Sequence, residues 1–247
     1  MPKIKLSNGV IRYRTTPLYG GIKRINKEVA FNNLCLLKQV LDRDKIPFQL
    51  AYGTLLGAVR EKDFIDYDED IDLFVLGENK QKLFDALPDL IDSGFKIARY
   101  DRRGLLSIIK NKEYIDFYFY DKCTINGKGL RKCSGIVYPA FFFEQSTTIL
   151  FKGVEFCVPA EYIFFLRCAY GKGWSTPIEY FNYEMPLYKK LLYRIRERIK
   201  ECMPDCIFIY FAKKTEEKVT RRTLERLQKR LNEDEALAQL CEINGFN

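Results

Sequence analysis

Five carboxylates fall within seven positions, Asp66, Asp68, Glu69, Asp70 and Asp72, inside the run I-D-Y-D-E-D-I-D-L-F-V-L of residues 65–76, which then turns wholly apolar. As a strand, with its period of two, the run would set Asp66, Asp68, Asp70 and Asp72 on one face at steps of about 7 Å, with Glu69 on the other. Four like charges on one face repel one another unless a cation compensates them. An aspartate pair at i, i+2 plus a third acid from a neighbouring strand is the minimum for holding one or two Mg²⁺ or Mn²⁺ ions with open positions. Such ions bridge phosphate oxygens and offset charge on a leaving group, so the chemistry suggested is phosphoryl transfer.

The third acid is Asp116, alone in the aromatic run Y-I-D-F-Y of residues 114–118. A carboxylate in a buried strand is costly without a partner. The cation bound by Asp70 and Asp72 would supply one, and a salt bridge to Lys110 or Lys112 is the plainer alternative. Upstream, Gly53-Thr54 follows a strand-like stretch, residues 46–52, and precedes a short helix-competent one, 55–60. A glycine at such a turn lets backbone N–H groups approach a phosphate, with the Thr54 hydroxyl beside them. Arg60 and Lys62 could neutralise phosphate charge, although each alone is more often a surface cation.

Other uses of the acids fit less well. An EF-hand loop begun at Asp66 needs Gly at its sixth position and Glu at its twelfth, where this sequence has Ile71 and Gly77. A glycosidase needs two carboxylates at a set separation and no Gly-Thr turn beside them. A glycosyltransferase with a D-x-D for its sugar nucleotide shares the metal and the diphosphate, but its opening nucleotide-binding strand and helix are not evident here.

The elements that must position these residues are legible in outline. Residues 4–14 alternate around Asn8-Gly9, the chemistry of a tight hairpin. Residues 25–41 and 79–93 carry helical periodicity, the latter ending at Gly94. Residues 95–100, 105–109 and 114–120 read as three strands of a meander. Asn126-Gly127 marks a hairpin tip, residues 149–159 a strand pair around Lys152-Gly153, and 160–170 a helix before a loop holding the single Trp174. Residues 187–203 and 215–231 read as basic helices separated by Pro204. Three regions are expected: a β element at 1–22, a catalytic domain at 23–180, and a basic helical region at 181–247 packed on it.

Composition narrows the chemistry. The 247 residues include no histidine, which removes a Ser-His-Asp triad, His-ligated zinc and an imidazole base together. Eight cysteines with no CxxC pair are expected to be reduced, partly buried thiols. No apolar run approaches the roughly 18 residues of a transmembrane helix or resembles a signal peptide, so a cytoplasmic location is expected. The net charge of +8 is concentrated: residues 187–230 carry 14 Lys/Arg against 6 Asp/Glu, and the rest balances. A basic segment of this kind can meet an anionic membrane surface, an acidic glycan or a nucleic acid, or be only a solvated face.

Residues 46–73, I-P-F-Q-L-A-Y-G-T-L-L-G-A-V-R-E-K-D-F-I-D-Y-D-E-D-I-D-L, closely resemble the signature of the LicD family of phosphocholine transferases and related fukutin-type phosphoribitol transferases. Y-I-D-F at 114–117, F-K-G-V-E-F-C-V-P at 151–159 and Tyr170-Gly171 with Trp174 and Pro177 resemble its later elements. The resemblance covers about residues 29–177. It implies an α+β, nucleotidyltransferase-like fold, a mixed sheet flanked by helices. It also implies transfer of a phospho-alcohol from a CDP-linked donor to a glycan or lipid-linked glycan hydroxyl, releasing CMP. On this resemblance Asp70 and Asp72 match the metal-binding D-x-D, Asp116 the third carboxylate, Asp68 the acid before them, and Gly53-Thr54 the phosphate-binding turn. Asp66-Tyr67 stands where Pro-Trp is common, and Glu69 where an aspartate is; neither touches the expected ligands, and the first leaves cleft shape, and so acceptor preference, open. No nucleic-acid partner is expected. The remaining alternatives are phosphoglycerol or phosphoribitol transfer, nucleotidyl transfer from an NTP with release of pyrophosphate, and a metal-free glycan- or membrane-binding scaffold.

Overall fold

The computed structural model describes residues 1–16, 18, 23–178 and 186–246. The domain boundaries expected at 22/23 and 180/181 fall on or beside residues outside that set.

The chain opens with the hairpin β1 (Lys3–Leu6) and β2 (Gly9–Arg12). Leu6 pairs with Gly9, so the turn is centred on Ser7-Asn8, one residue earlier than Asn8-Gly9 suggests. Helix α1 (Lys27–Arg43) is capped by the Asn26 side chain, which accepts from Val29 N–H at 3.1 Å, and buries Ala30, Leu34, Leu37 and Leu41 at alternating steps of four and three. Strand β3 shrinks to Gln49–Leu50, and α2 (Tyr52–Arg60) begins at once, so Gly53 and Thr54 lie inside its first turn rather than before it.

The acidic run is not one strand. Strand β4 covers only Ile71–Leu76, and Asp66 to Asp70 lie in turns and bends, closed by Asp68 N–H donating to the Ile65 carbonyl at 3.1 Å. The one-face alternation expected of Asp66 and Asp68 is therefore corrected: strand phase begins at Ile71. Asp66 is exposed and its carboxylate meets Lys27 at 2.5 Å. The helical stretch that follows is likewise broken, into α3 (Lys80–Asp85) and α4 (Leu87–Asp92), with Pro88 in the first turn of the second, where a missing N–H is tolerated.

Strands β5 (Lys96–Asp101), β6 (Leu105–Lys110) and β7 (Glu113–Ile125) form the expected antiparallel meander, and β8 (Lys128–Cys133) and β9 (Ile136–Pro139) extend it from the far end of β7. The full path is β3-β4-β7-β6-β5, and β4 joins it parallel to β7. The α+β class is thus present as a mixed seven-stranded sheet. A separate hairpin, β10 (Ser146–Phe151) and β11 (Val154–Pro159), leads into α5 (Tyr162–Tyr170). Then come α6 (Leu187–Cys202), a continuous α7 (Asp205–Glu233) and the short α8 (Glu235–Ile243).

One face of the sheet is mainly apolar: Leu73, Val75, Ile115, Phe117 and Phe119 are buried, with Phe84 of α3 edge-on to Phe119 at 5.6 Å. The other face carries the acids and, next to them, an aromatic cluster. Phe74, two residues beyond Asp72, has ring neighbours Tyr52, Tyr120, Phe143 and Phe165 at 5.1 to 5.3 Å. Burying such a ring is worth about 2–3 kcal/mol and fixes the strand end that bears Asp72.

Helix α7 packs on β9 and buries Phe208 and Leu227. The apolar residues of α6 are instead exposed, Leu187 by 83% and Ile199 by 56%. Among the described residues no helix is long and apolar enough to cross a membrane. The seven cysteines whose side chains are described are all free thiols, and burial pushes those of Cys133 and Cys168 up to about 12.

Candidate active site

Asp72 and Asp116 are direct partners in the parallel β4–β7 ladder, so adjacent backbones about 4.8 Å apart present both carboxylates on one face. Both are buried, 7% and 2% exposed. The chain from β3 to α2 wraps around Asp72. Its N–H donates to Thr54 Oγ1 at 2.9 Å, its carbonyl accepts from Ala51 N–H at 3.0 Å, and its Oδ2 accepts from Gly53 N–H at 3.1 Å. Tyr52 adopts the left-handed region, φ 38°, which turns the chain sharply enough to aim Gly53 N–H at the acid. A Cβ at Gly53 would stand 2.3 Å from Asp68 Oδ2 and 3.3 Å from Asp72 Oδ2, so only glycine admits both carboxylates here.

Asp116 has its own partners. Ser107, its cross-strand neighbour on β6, donates its hydroxyl to Oδ1, and Arg99 of β5 donates from Nη2 to Oδ2 at 2.9 Å. Arg99 Nε also donates to Ser107 Oγ at 3.0 Å. The cation beside Asp116 is thus Arg99. Lys110 instead donates to the Ser93 carbonyl. The Tyr118 hydroxyl, one strand period beyond Asp116, donates to Asp72.

Asp68 and Asp70 complete the group from the turn before β4. Asp68 Oδ1 accepts from Glu69 N–H at 3.0 Å, while Oδ2 is buried without a hydrogen-bond partner. Burial, then the nearby charges of Glu69 and Glu61, raise the Asp68 carboxyl to about 6. Burial first and the charges of Asp72, Asp116 and Asp68 next push Asp70 well above the usual carboxylate range. Burial, Asp68 and Asp116 do the same to Asp72. Burial also raises Asp116, against the pull of Arg99.

Four mutually repelling acids, one with an orphaned buried oxygen, form an oxygen-only donor set of the kind that suits a hard divalent cation. As placed, however, no three carboxylates or thiols among the described residues are drawn together closely enough to hold a metal ion. Asp116 is engaged by Arg99 and Ser107 instead.

The residues expected to meet donor phosphate are divided. Gly53 and Thr54 are part of the acid site, with Thr54 fully buried against the Asp72 backbone. Arg60 turns away, donating to the Trp174 carbonyl at 3.2 Å and to Glu61 at 2.6 Å. Lys62 is exposed after α2 at φ 57°. Neither is bonded to a site carboxylate. Arg99, Ser107 and Tyr118 escaped notice in the sequence. Their signal was a lone serine in the apolar run of residues 105–109 and a lone arginine in the strand before it.

Residues 45–161 match the family described as LicD/FKTN/FKRP, nucleotidyltransferase domain. Over these residues the chain carries a LicD-type domain. The lipopolysaccharide cholinephosphotransferase LicD of Haemophilus influenzae is 39% identical over 58 residues, 24% of this chain and 22% of that protein. The ribitol-5-phosphate transferase FKTN of Mus musculus is 28% identical over 153 residues, 56% of this chain and 32% of that protein. The chain thus spans about a third or less of the curated relatives it matches. Among solved structures, the antibiotic-resistance factor ANT(2'')-Ia aligns with 82% of this chain and 95% of its own at 14% identity, with a TM-score of 0.43.

Proposed function

We propose that this protein transfers a phospho-alcohol, phosphocholine or a close analogue, from a CDP-linked donor to a hydroxyl of a cell-surface glycan precursor, releasing CMP. The observation that carries this is the cluster made by Asp72 and Asp116 on one sheet face and by Asp68 and Asp70 from the turn before β4, inside a LicD-type domain. The acceptor oxygen attacks the phosphorus that bears the alcohol, the bond from that phosphorus to the bridging oxygen of CMP breaks, and CMP leaves with that oxygen. The acceptor proton goes to Asp68 Oδ2, which has no hydrogen-bond partner and whose carboxyl is raised by burial to about 6, near the working pH of a base. Asp116 is less suited to that role because Arg99 and Ser107 occupy its oxygens.

Asp70, Asp72 and Asp116 would hold Mg²⁺ or Mn²⁺, which supplies charge neutralisation at the phosphate and the leaving group. Gly53 N–H, Thr54 and Tyr118 hold Asp72 in position for this.

We place the enzyme at the inner face of the plasma membrane. The exposed apolar residues of α6 and the N-terminal part of α7, among them Leu191, Ile195, Ile209 and Phe211, lie in the segment that carries the basic surplus. An apolar stripe flanked by cations is the pattern of helices that lie in an anionic interface.

The test is a donor panel of CDP-choline, CDP-ethanolamine, CDP-glycerol, CDP-ribitol and CTP, scored for CMP against pyrophosphate, with Asp70→Asn as control. CMP from one CDP-alcohol, lost in the control, is the expected result. Pyrophosphate from CTP with no CMP from any CDP-alcohol would overturn the proposal in favour of nucleotidyl transfer.

A further inference from the structure

Strand β7 turns three residues to the face that bears the acids, Asp116, Tyr118 and Tyr120, each one strand period beyond the last. Asp116 belongs to the acid cluster, and the Tyr118 hydroxyl donates to Asp72. Tyr120 lies about 14 Å along the strand from Asp116 and bonds to neither acid. Its side chain is fully buried, and its hydroxyl is hydrogen-bonded to that of Tyr52. The Tyr138 hydroxyl stands next to the Tyr52 hydroxyl in the same pocket of rings.

Tyr52 is the residue at φ 38°, the first of α2 and the one before Gly53. A left-handed backbone is costly for a tyrosine and persists only where its surroundings over-determine it. Its ring rests on Tyr118 at 4.9 Å and Phe74 at 5.1 Å, but it also borders a cavity of about 220 Å³ shared with Tyr138, Tyr170 and Leu227. Packing contacts are missing on a side that faces a void, so a ring there is free to swing unless its tip is tied. The tie is the hydroxyl pair, which stays closed because a buried hydroxyl without a partner is penalised. Tyr120 is a firm anchor for it. Its ring stacks on Phe143 at 4.8 Å and meets Phe74 edge-on at 5.3 Å, and its carbonyl accepts from Arg131 Nη1 at 3.2 Å. Arg131 is fixed in turn by Glu78 at 2.7 Å.

We infer that Tyr120 is a positioning residue of the acid site: through the Tyr52 hydroxyl it holds the left-handed turn that keeps Gly53 N–H on Asp72 Oδ2, 3.1 Å away. Tyr52 is the lever, with its hydroxyl at one end and the Gly53 amide at the other. Tyr120 thus acts on an acid that it does not touch. Its effect on turnover rests on the proposed function, whereas its effect on the turn does not.

The experiment is amide hydrogen exchange of the full chain in EDTA, followed by NMR, in Tyr120→Phe, Tyr52→Phe and their double variant. Phe84→Leu, a core lesion against the opposite sheet face, is the control for destabilisation alone. In both single variants Gly53 should exchange about tenfold faster relative to the amides of the β4–β7 ladder, and the double variant should add less than about twofold, because both changes remove one bond. Phe84→Leu should lower the melting temperature and leave that ratio within about twofold. Tyr52→Phe removes the other half of the same pair and carries the test should Tyr120→Phe fail to fold. Where the wild type turns over a CDP-alcohol, Tyr120→Phe should lower kcat about tenfold with KM within about twofold, the mark of misplacement rather than lost binding. Unchanged Gly53 exchange, acceleration shared by the whole ladder, single effects that multiply in the double variant, the same ratio change in Phe84→Leu, or faster Gly53 exchange with unaltered kcat would each overturn the inference. A wild type without turnover but with tyrosine-dependent Gly53 exchange removes the proposed reaction and leaves the support of the turn.

Discussion

Asp68→Asn should make the metal-free protein more stable near neutral pH while abolishing turnover. The Asp68 carboxyl holds its proton up to about 6 rather than 3.8, burial being the first cause. Below 3.8 it is neutral in the folded and the unfolded chain, and the fold loses nothing by burying it. Between 3.8 and about 6 the unfolded chain ionises first, so stability falls as pH rises. Above about 6 both states are ionised and the penalty is complete. At about 1.4 kcal/mol per pH unit that penalty is at most about 3 kcal/mol. Asparagine keeps the shape and removes the charge, so the variant should gain about 1–3 kcal/mol at pH 7.5, with a melting temperature raised by about 2–4 °C per kcal/mol for a chain of this size. The gain should shrink towards zero at pH 4. Thermal unfolding of both proteins in EDTA from pH 4 to 8 measures it directly. A variant less stable than the wild type at pH 7.5, or a difference that does not vary with pH, would refute the reasoning, because Asp68 would then be held by bonds rather than burdened by burial.

Three further outcomes are expected. Gly53→Ala places a Cβ 2.3 Å from Asp68 Oδ2, and displacing that carboxylate should lower kcat by about tenfold to a hundredfold while destabilising by only about 1–3 kcal/mol, as turnover and urea unfolding will show. Mn²⁺ at about a hundred times its dissociation constant should raise wild-type stability by about 2.7 kcal/mol at pH 7.5 and leave Asp70→Asn unmoved, a comparison made by differential scanning fluorimetry. Asp234 is buried, accepts from Arg167 Nε at 2.7 Å and caps α8 through Leu237 N–H at 3.2 Å, so Asp234→Ala should destabilise by about 3–5 kcal/mol in chemical unfolding.

Much of the frame was legible because local chemistry determined it. Asn126-Gly127 and Lys152-Gly153 sit at hairpin turns with positive φ, and the apolar spacing of α1 defines its buried side. The acidic run misled because alternation alone cannot show where a strand begins. Asp66 finds Lys27, a contact set by α1 and invisible along the run. Asp116 was found as an isolated acid among rings, but its partner was not, since Arg99 reaches it across two neighbouring strands. The parallel placement of β4 beside β7 was equally hidden, because ladder order is a non-local property of the chain. The basic surplus at 187–230 was plain, yet only the fold assigns Arg196 and Lys200 to a cavity and leaves Leu187 and Ile199 in solvent.

The ion pair between Arg99 and Asp116 has a consequence for the order of events. The oxygens of Asp116 are already spoken for by Arg99 and Ser107, so any cation that used Asp116 would have to displace those two donors first, and the order in which ligands enter would be set by that exchange.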